Sequence, residues 1–203
     1  MQTLNIHGSC TDALIYTTCN PENAIDDYAV AQIQQICDFK AAEGNVIRVM
    51  SDVHPGKGCV VGLTMQLNND MVMPNLLGVD IGCGVSVTAI GKFKPDYHKL
   101  DKVIAEKIPS GLSIHSDERE SFVLDKLCCA KHVQLERARR SNGTFGGGNH
   151  FIEIAEGNDG KPYLVVHSGS RHLGKEVCEW YLKLGRKDGV PYELSYVSGD
   201  LSA

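Results

Sequence analysis

Apolar side chains recur at helical spacing in the early part of the chain. Asn20 and Pro21 stand before this pattern, as a capping residue and a residue tolerated in the first helical turn. Gly44 follows it as a stop signal. The pattern therefore predicts a helix that begins at Asn20 and Pro21, ends near Gly44 and packs one face inward, with apolar positions at Ile25, Ala29, Ile33, Ile36 and Cys37.

Short apolar runs between turn residues predict strands. The runs at residues 59–67 and 71–77 are separated by a polar turn, so we expect these two strands to form a hairpin. A polar loop at residues 51–58 separates this hairpin from the strand before it. The predicted strands are residues 46–50, 59–67, 71–77, 85–90, 151–154 and 163–166.

Three further segments predict helices. Residues 98–108 form one that Pro109 stops, residues 116–142 form a longer one that ends before Gly143, and residues 174–184 form the last. Strands and helices do not alternate regularly, and neither a P-loop nor a dinucleotide fingerprint is present. We therefore expect an α+β fold in which mixed or antiparallel sheets are surrounded by helices and a metal site lies in loops at strand ends.

The composition is that of a globular chain. Its 203 residues are 42% hydrophobic and 22% charged, so it is long enough to bury a core, and we assign residues 1–203 to a single domain. The net charge of -5 argues against a basic coating for non-specific nucleic-acid binding. Eight cysteines occur without a C-x-x-C pair, and the N-terminus lacks a secretory pattern. We expect a cytoplasmic protein with reduced thiols and no membrane partner.

Metal-ligand side chains occur in glycine-rich loops. Asp80 and Cys83 lie close together in Gly78-Val79-Asp80-Ile81-Gly82-Cys83-Gly84, so a carboxylate and a thiolate can turn toward one point. Taken alone, this loop fits a buried turn equally well, with Asp80 capping amides and Cys83 packing. His150 follows a triple glycine and His167 ends an apolar run, and the four together predict a metal site. These donors also suit zinc or iron, so they do not select the ion.

Polar residues near these ligands suit phosphate. Ser168-Gly169-Ser170-Arg171 supplies hydroxyls, unhindered amides and a guanidinium. Asp52 and His54 are candidate ligands or residues that support the ligands, although an Asp at a strand end, taken alone, is more often a turn former. His172 is predicted to support the site or to lie at the surface. A further basic cluster is better explained by the dipole of its own helix than by nucleic-acid contact, and its members are Arg137, Arg139 and Arg140.

Four motifs, in this order, resemble the RtcB-type RNA-splicing ligases. They are Asp52-Val53-His54-Pro55-Gly56, Gly78-Val79-Asp80-Ile81-Gly82-Cys83-Gly84, Gly146-Gly147-Gly148-Asn149-His150-Phe151 and His167-Ser168-Gly169-Ser170-Arg171. The resemblance implies that the chain is the N-terminal half of a longer catalytic domain. It also implies an enzyme of tRNA splicing or RNA repair, which uses GTP and two manganese ions to join RNA 3′-phosphate or 2′,3′-cyclic phosphate ends to 5′-hydroxyl ends.

The resemblance further implies roles for single residues. Asp52 and Arg171 match positions of catalytic importance, and Arg171 is expected to act on phosphate. Cys83 is expected to bridge the two ions, and both Cys83 and Asp80 count among the catalytic residues. The expected manganese ligands are Asp80, Cys83, His150 and His167.

Nucleotide and partner contacts follow from the same resemblance. Asn149, Phe151 and Glu153 are expected to contact GTP or to orient ligands. Archease, an accessory protein of the family, is an expected partner beside RNA and GTP. The guanylated histidine of the family lies in its C-terminal half, so we expect the 203 residues alone to bind manganese, and GTP weakly, without sealing RNA. A metal-dependent phosphohydrolase and an inactive metal- and nucleotide-binding module are the alternatives.

Overall fold

The computed structural model describes residues 2–17, 25–78, 81–91, 94–119, 124–186 and 190–199. The α-helices in these residues are α1 (Asp27–Cys37), α2 (Tyr97–Lys107), α3 (Leu135–Ser141) and α4 (Arg171–Leu184). The strands are β1 (Gln2–His7), β2 (Asp12–Thr17), β3 (Val46–His54), β4 (Val61–Gln66), β5 (Met71–Val72), β6 (Gly84–Ala89), β7 (Phe151–Glu156), β8 (Pro162–Ser168) and β9 (Val197–Ser198). These helices, with mixed and antiparallel sheets, confirm the predicted α+β class.

The chain divides into two compact units. The first comprises Met1–Gly78 and Cys178–Ala203, and the second comprises Val79–Val177. The assignment of all 203 residues to one domain stays a prediction. Within the described ranges, no helix has the length and apolar character that crossing a membrane requires.

The first unit contains a four-stranded mixed sheet in the order β1-β2-β3-β4. Strand β2 runs parallel to β3, whereas β1 and β4 pair antiparallel with their neighbours. Parallel strands need a crossover connection, and the segment between β2 and β3 contains α1. Apolar side chains of the sheet and the helix meet in one core, which includes Ile6, Ala13, Ile15, Ala29, Ile33, Ile36, Ile47 and Val49.

The N-terminus of α1 is capped by an acidic side chain. The carboxylate of Asp26 accepts a hydrogen bond from the N–H of Tyr28 at 2.8 Å, which satisfies one of the unpaired amides of the first turn. The structure therefore begins the helix at Asp27. The predicted start at Asn20 and Pro21 lies outside the described residues.

The C-terminus of α1 differs from the prediction. The helix ends at Cys37 rather than near Gly44, and a short 3₁₀ helix, Lys40–Ala42, follows. The carbonyl of Cys37 accepts hydrogen bonds from the N–H groups of Cys10 and Thr11, each at 3.0 Å. A contact with the β1–β2 turn thus replaces the next helical hydrogen bond.

Strand β3 extends beyond the predicted residues 46–50. Asp52 and His54 lie in the strand, so the prediction of a loop at residues 51–58 is wrong in its first half. Pairing with β4 is irregular between Val49 and His54. The ring Nδ1 of His54 lies 2.9 Å from the carbonyl oxygen of Asp52, so the imidazole turns back onto its own strand.

The predicted hairpin of residues 59–67 with 71–77 is also wrong. Strand β5 pairs antiparallel with β9, a partner far along the chain. Asn69 ties the intervening turn to the carbonyls of Ala41 and Glu43 at 3.2 and 3.0 Å. Pro74, which lacks an N–H group, begins the 3₁₀ helix Pro74–Leu77, so β5 ends after two residues.

The second unit contains a three-stranded antiparallel sheet in the order β6-β8-β7. Strand β8 is central and reaches Ser168, two residues beyond the predicted strand end, so His167 lies inside the strand. Helix α2 and strands β6 and β7 agree closely with the predicted segments.

The predicted long helix at residues 116–142 is wrong. Two 3₁₀ helices, Leu124–Lys126 and Ala130–His132, precede the short helix α3, and residues 120–123 lie outside the description. The N–H of Gln134 donates to the carboxylate of Glu176 at 2.9 Å instead of to a helical carbonyl. This tertiary hydrogen bond separates the turns before it from α3.

Candidate metal site

Cys83 and His167 meet although 84 positions separate them in the sequence. The register of β6 on β8 pairs Gly84 with Ser168, which brings the residue before β6 to the end of β8. Gly82, immediately before Cys83, has a φ of 82°, a conformation that L side chains rarely adopt. The chain thereby turns into β6 with Cys83 beside His167.

The two side chains are in direct contact. The Sγ atom of Cys83 lies 2.6 Å from Nε2 of His167. Metal–donor distances for thiolate and imidazole are about 2.0–2.3 Å, so these two donors would have to move slightly apart to bind the same ion. The pair combines a soft thiolate with an imidazole, as many transition-metal sites do.

A second imidazole lies next to this pair. His150 is buried, with 7% of its surface exposed, and its ring centroid lies 5.6 Å from that of His167. The Nδ1 atom of His150 lies 2.8 Å from the carbonyl oxygen of Phe145, and a carbonyl can only accept, so Nδ1 carries the proton. This tautomer leaves the lone pair on Nε2, the arrangement in which an imidazole binds metal.

The donor chemistry of these three residues therefore fits a metal ion. Asp80, the fourth predicted ligand, lies outside the described residues. Among the residues that the structure describes, no three His, Cys, Asp or Glu side chains form a group that could hold an ion. Convergence of all four side chains on one centre consequently stays a prediction, with the Cys83–His167 contact as its structural basis.

Some of the residues predicted to contact the nucleotide lie on the same face of the sheet as His167. Phe151 in β7 pairs with His167 in β8, and the two rings meet edge to face with centroids 5.2 Å apart. Glu153 lies two residues further along β7 and so points to the same side as Phe151. Asn149 is exposed just before the strand. The contact of these residues with GTP stays a prediction.

The two remaining predicted catalytic residues, Asp52 and Arg171, are not placed beside the contact pair by any described side-chain contact. Asp52 lies in the first unit, whereas Cys83, His150 and His167 lie in the second. An Oδ1 atom of Asp52 faces Gly62, where an added Cβ would approach it to 2.9 Å. Arg171 is the first residue of α4, but its side chain lies outside the description. The catalytic roles of Asp52 and Arg171 therefore stay predictions.

A cavity of about 690 Å³ in the second unit adjoins the contact pair. Gly82 and Ser168, the chain neighbours of Cys83 and His167, both line it. Arg137 also lines it, whereas the sequence had suggested only a helix-dipole role for this residue. No local pattern reveals such a position, because Arg137 reaches the cavity through the packing of α3.

Comparison with known proteins agrees with the four motifs. A sequence model described as tRNA-splicing ligase RtcB matches residues 32–128 and 126–203. The chain belongs to the RtcB family. It is 30% identical over 165 residues to RNA-splicing ligase RtcB1 of Escherichia coli strain ATCC 25922, covering 70% of this chain and 40% of that protein.

Two further RtcB relatives extend the comparison. RNA-splicing ligase RtcB2 of the same strain is 28% identical over 193 residues, covering 87% of this chain and 48% of that protein. The tRNA-splicing ligase RtcB of Aeropyrum pernix is 26% identical over 192 residues, covering 67% of this chain and 40% of that protein. The chain thus spans less than half the length of these relatives.

Proposed function

We propose that the protein is an RNA ligase that joins RNA 3′-phosphate or 2′,3′-cyclic phosphate ends to 5′-hydroxyl ends, using GTP and manganese. Membership of the RtcB family and the names of its relatives, RNA-splicing and tRNA-splicing ligases, support the ligase activity. The observation that carries the proposal within the chain is the 2.6 Å contact between Cys83 Sγ and His167 Nε2. It brings two of the proposed metal ligands together beside phosphate-compatible loops.

Joining RNA ends requires that charge on phosphate oxygens be neutralised and the reacting groups aligned. Bound manganese would supply this as a Lewis acid. Cys83, His150 and His167 would hold it, together with Asp80. The carbonyl of Phe145 orients His150 through Nδ1, so the Nε2 lone pair of this imidazole would be available to a metal ion.

Other residues would position the reactants. Phe151 and Glu153, which share one side of β7, would orient GTP with Asn149. Arg171 would contact a phosphate, since a guanidinium binds phosphate oxygens in bidentate fashion. Asp52 is proposed as a catalytic residue. Archease is proposed as an accessory partner.

The test uses the chain extended in one polypeptide by the part of Escherichia coli RtcB1 that it does not match, because the 203 residues alone are expected to bind manganese without sealing RNA. This polypeptide is mixed with Mn²⁺, GTP and two RNA fragments, one with a 3′-phosphate and one with a 5′-hydroxyl. Denaturing electrophoresis follows the joined product. We expect Cys83→Ala to abolish joining and Cys128→Ala, which changes another exposed thiol, to preserve it. Phosphate release without joining would favour a metal-dependent phosphohydrolase, and binding of Mn²⁺ without either product would favour a binding module.

A further inference from the structure

The cavity beside Cys83 and His167 carries positive but no negative side chains among its described lining residues. Of the lining residues that the structure describes, Arg137 and Lys175 are cationic, His172 is an imidazole, and none is Asp or Glu. The charge of these lining residues differs from that of the whole chain, in which 25 acidic residues outnumber 20 basic ones. The carboxylate of Glu176 lies 3.3 Å from Nε2 of His172. The electrostatics of the wall therefore favour an anion.

The guanidinium of Arg137 is the strongest indication of a ligand. Its Nε atom is buried and has no hydrogen-bond partner within the described structure. Leaving a buried donor unpaired costs about 1–3 kcal/mol, and more for a charged group. Buried polar groups of this kind call for an explanation, and a bound anion would provide one.

Neighbouring hydrogen bonds hold Arg137 in position. The hydroxyl of Ser141 donates to the carbonyl of Arg137 at 2.7 Å, and the hydroxyl of Thr144 donates to the carbonyl of Ser141 at 2.7 Å. The hydroxyl of Ser170, on another part of the wall, donates to the carbonyl of Ile81. The hydroxyl protons of Ser141, Thr144 and Ser170 thus bond to carbonyls of the chain, whereas the Nε–H of Arg137 has no partner among the described residues.

The rest of the wall suits a nucleotide unit. Apolar side chains, including Leu112, Ile114 and Leu173, line the cavity and can contact a sugar or base. Leu112 is 90% exposed, so it is open to a ligand that arrives from solvent. The volume of about 690 Å³ falls within the roughly 300–1,000 Å³ of ligand sites.

We infer that this cavity binds a phosphate group of the RNA substrate, with Arg137 as its principal contact. The inference rests on the proposed ligase function. Gly82 and Ser168 form part of the wall, so the bound phosphate lies beside Cys83 and His167, near the end to be joined. Asn149, Phe151 and Glu153, the residues proposed for GTP, are not among the described lining residues, which favours RNA over GTP as the source of the phosphate.

The experiment measures binding of a fluorescent single-stranded RNA with a 3′-phosphate, by anisotropy and without metal or GTP. We expect Arg137→Gln to weaken binding about tenfold, as loss of a charge-assisted phosphate contact does. The slope of log affinity against log salt should also become shallower by about 0.7, the value for one phosphate contact on a single strand.

Arg139→Gln is the matched control. Arg139 lies on the same helix but not in the cavity wall, and its guanidinium contacts Asp125 at 2.6 Å. We expect its RNA affinity to stay within about twofold of the original. Thermal unfolding of both variants detects any loss of fold, and Arg137→Lys should recover part of the affinity because it restores the charge.

Three results would overturn the inference. In the first, Arg137→Gln and Arg139→Gln lower RNA affinity equally. In the second, Arg137→Gln lowers the affinity for GTP and leaves RNA binding unchanged. In the third, the original protein does not bind the RNA. Competition by inorganic phosphate that Arg137→Gln abolishes, without an effect on RNA, would assign a free-phosphate site instead. Because the assay contains no manganese or GTP, its failure is distinct from failure of RNA joining.

Discussion

The two units of the chain differ in how far the apolar side chains of their sheets are buried. In the first unit, Ile15 and Ile47 are completely buried between sheet and helix. In the second unit, Val85 and Val87 on β6 are 58% and 60% exposed. His150, one of the few buried side chains among the described residues of the second unit, is a proposed metal ligand rather than an apolar core residue.

The cysteines repeat this contrast. Burial raises the pKa of the Cys59 thiol, in the first unit, to about 11. Cys83 and Cys128, in the second unit, are exposed. Cys59 therefore acts as a small apolar residue, whereas Cys83 and Cys128 present their thiols to solvent and ligands. Cys129 of the second unit is buried, so the contrast holds for these residues and not for every cysteine. The apolar core cluster of the described residues lies in the first unit, and the proposed metal ligands Cys83, His150 and His167 lie in the second.

The largest effect should come from truncating the buried sheet. Ile47→Ala removes a completely buried side chain and should lower the free energy of unfolding of the first unit by about 2–5 kcal/mol. Val87→Ala, on the exposed strand, should change stability by less than about 0.5 kcal/mol. Urea unfolding followed by far-ultraviolet circular dichroism measures both variants, because both units contain helices and strands. Similar decreases in the free energy of unfolding for Ile47→Ala and Val87→Ala would contradict the difference in burial between the two sheets.

The next largest effect should be a difference in thiol reactivity between Cys59 in the first unit and Cys128 in the second. The rise in pKa from 9.0 to about 11 lowers the thiolate fraction of Cys59 near pH 8 about 100-fold, and burial restricts access as well. Iodoacetamide labelling of the native protein, read by peptide mass spectrometry, should therefore modify Cys128 long before Cys59. Labelling in urea serves as the reference in which Cys59 and Cys128 should react equally. Equal labelling of the two thiols in the native protein as well would contradict the buried position of Cys59.

The same pKa implies a dependence of stability on pH. The folded first unit holds the Cys59 proton more tightly than the unfolded chain, so this contribution is complete below about pH 9 and is lost as pH rises through about 11. The unfolding temperature should fall across this window, and Cys59→Ala should reduce the pH dependence. An identical decline in the variant would show that other groups cause it.

A smaller effect should follow from adding a methyl group at tight glycines. A Cβ on Gly8 would lie 2.4 Å from Cβ of Cys37, so Gly8→Ala should cost about 1–3 kcal/mol through overpacking. Among the described residues, an added Cβ on Gly84, beside the proposed metal site, would have only the carbonyl oxygen of Gly82 nearby, at 4.0 Å. Gly84→Ala should therefore leave the unfolding midpoint nearly unchanged, and a comparable loss would contradict the open setting of this loop.

Much of the fold could be predicted because its signals are local. The apolar runs that form β6, β7 and β8, and the periodicity of α2, lie in contiguous segments that the structure confirms. The pairing of β5 with β9 could not be predicted, because it joins residues more than 120 positions apart. The break before α3 likewise depends on a tertiary hydrogen bond from Gln134 to Glu176.

The site was predictable to the extent that its residues carry distinctive chemistry. Thiolate and imidazole side chains in glycine-rich loops indicated Cys83 and His167, and the structure brings these two together. Arg137 gave no such signal, since an arginine on a helix is usually a solvated charge. Its placement in the cavity depends on how α3 packs, which local sequence does not encode.

The central claim is that Cys83, with His150 and His167, binds a metal ion. Titration with Co²⁺, followed by thiolate-to-cobalt charge-transfer absorption, tests it directly in the protein without RNA or GTP. We expect a saturable band that Cys83→Ser abolishes and Cys128→Ser retains, with affinity reduced more than about 100-fold only in the former. The same band and affinity in Cys83→Ser would contradict the assignment of this thiolate as a metal ligand.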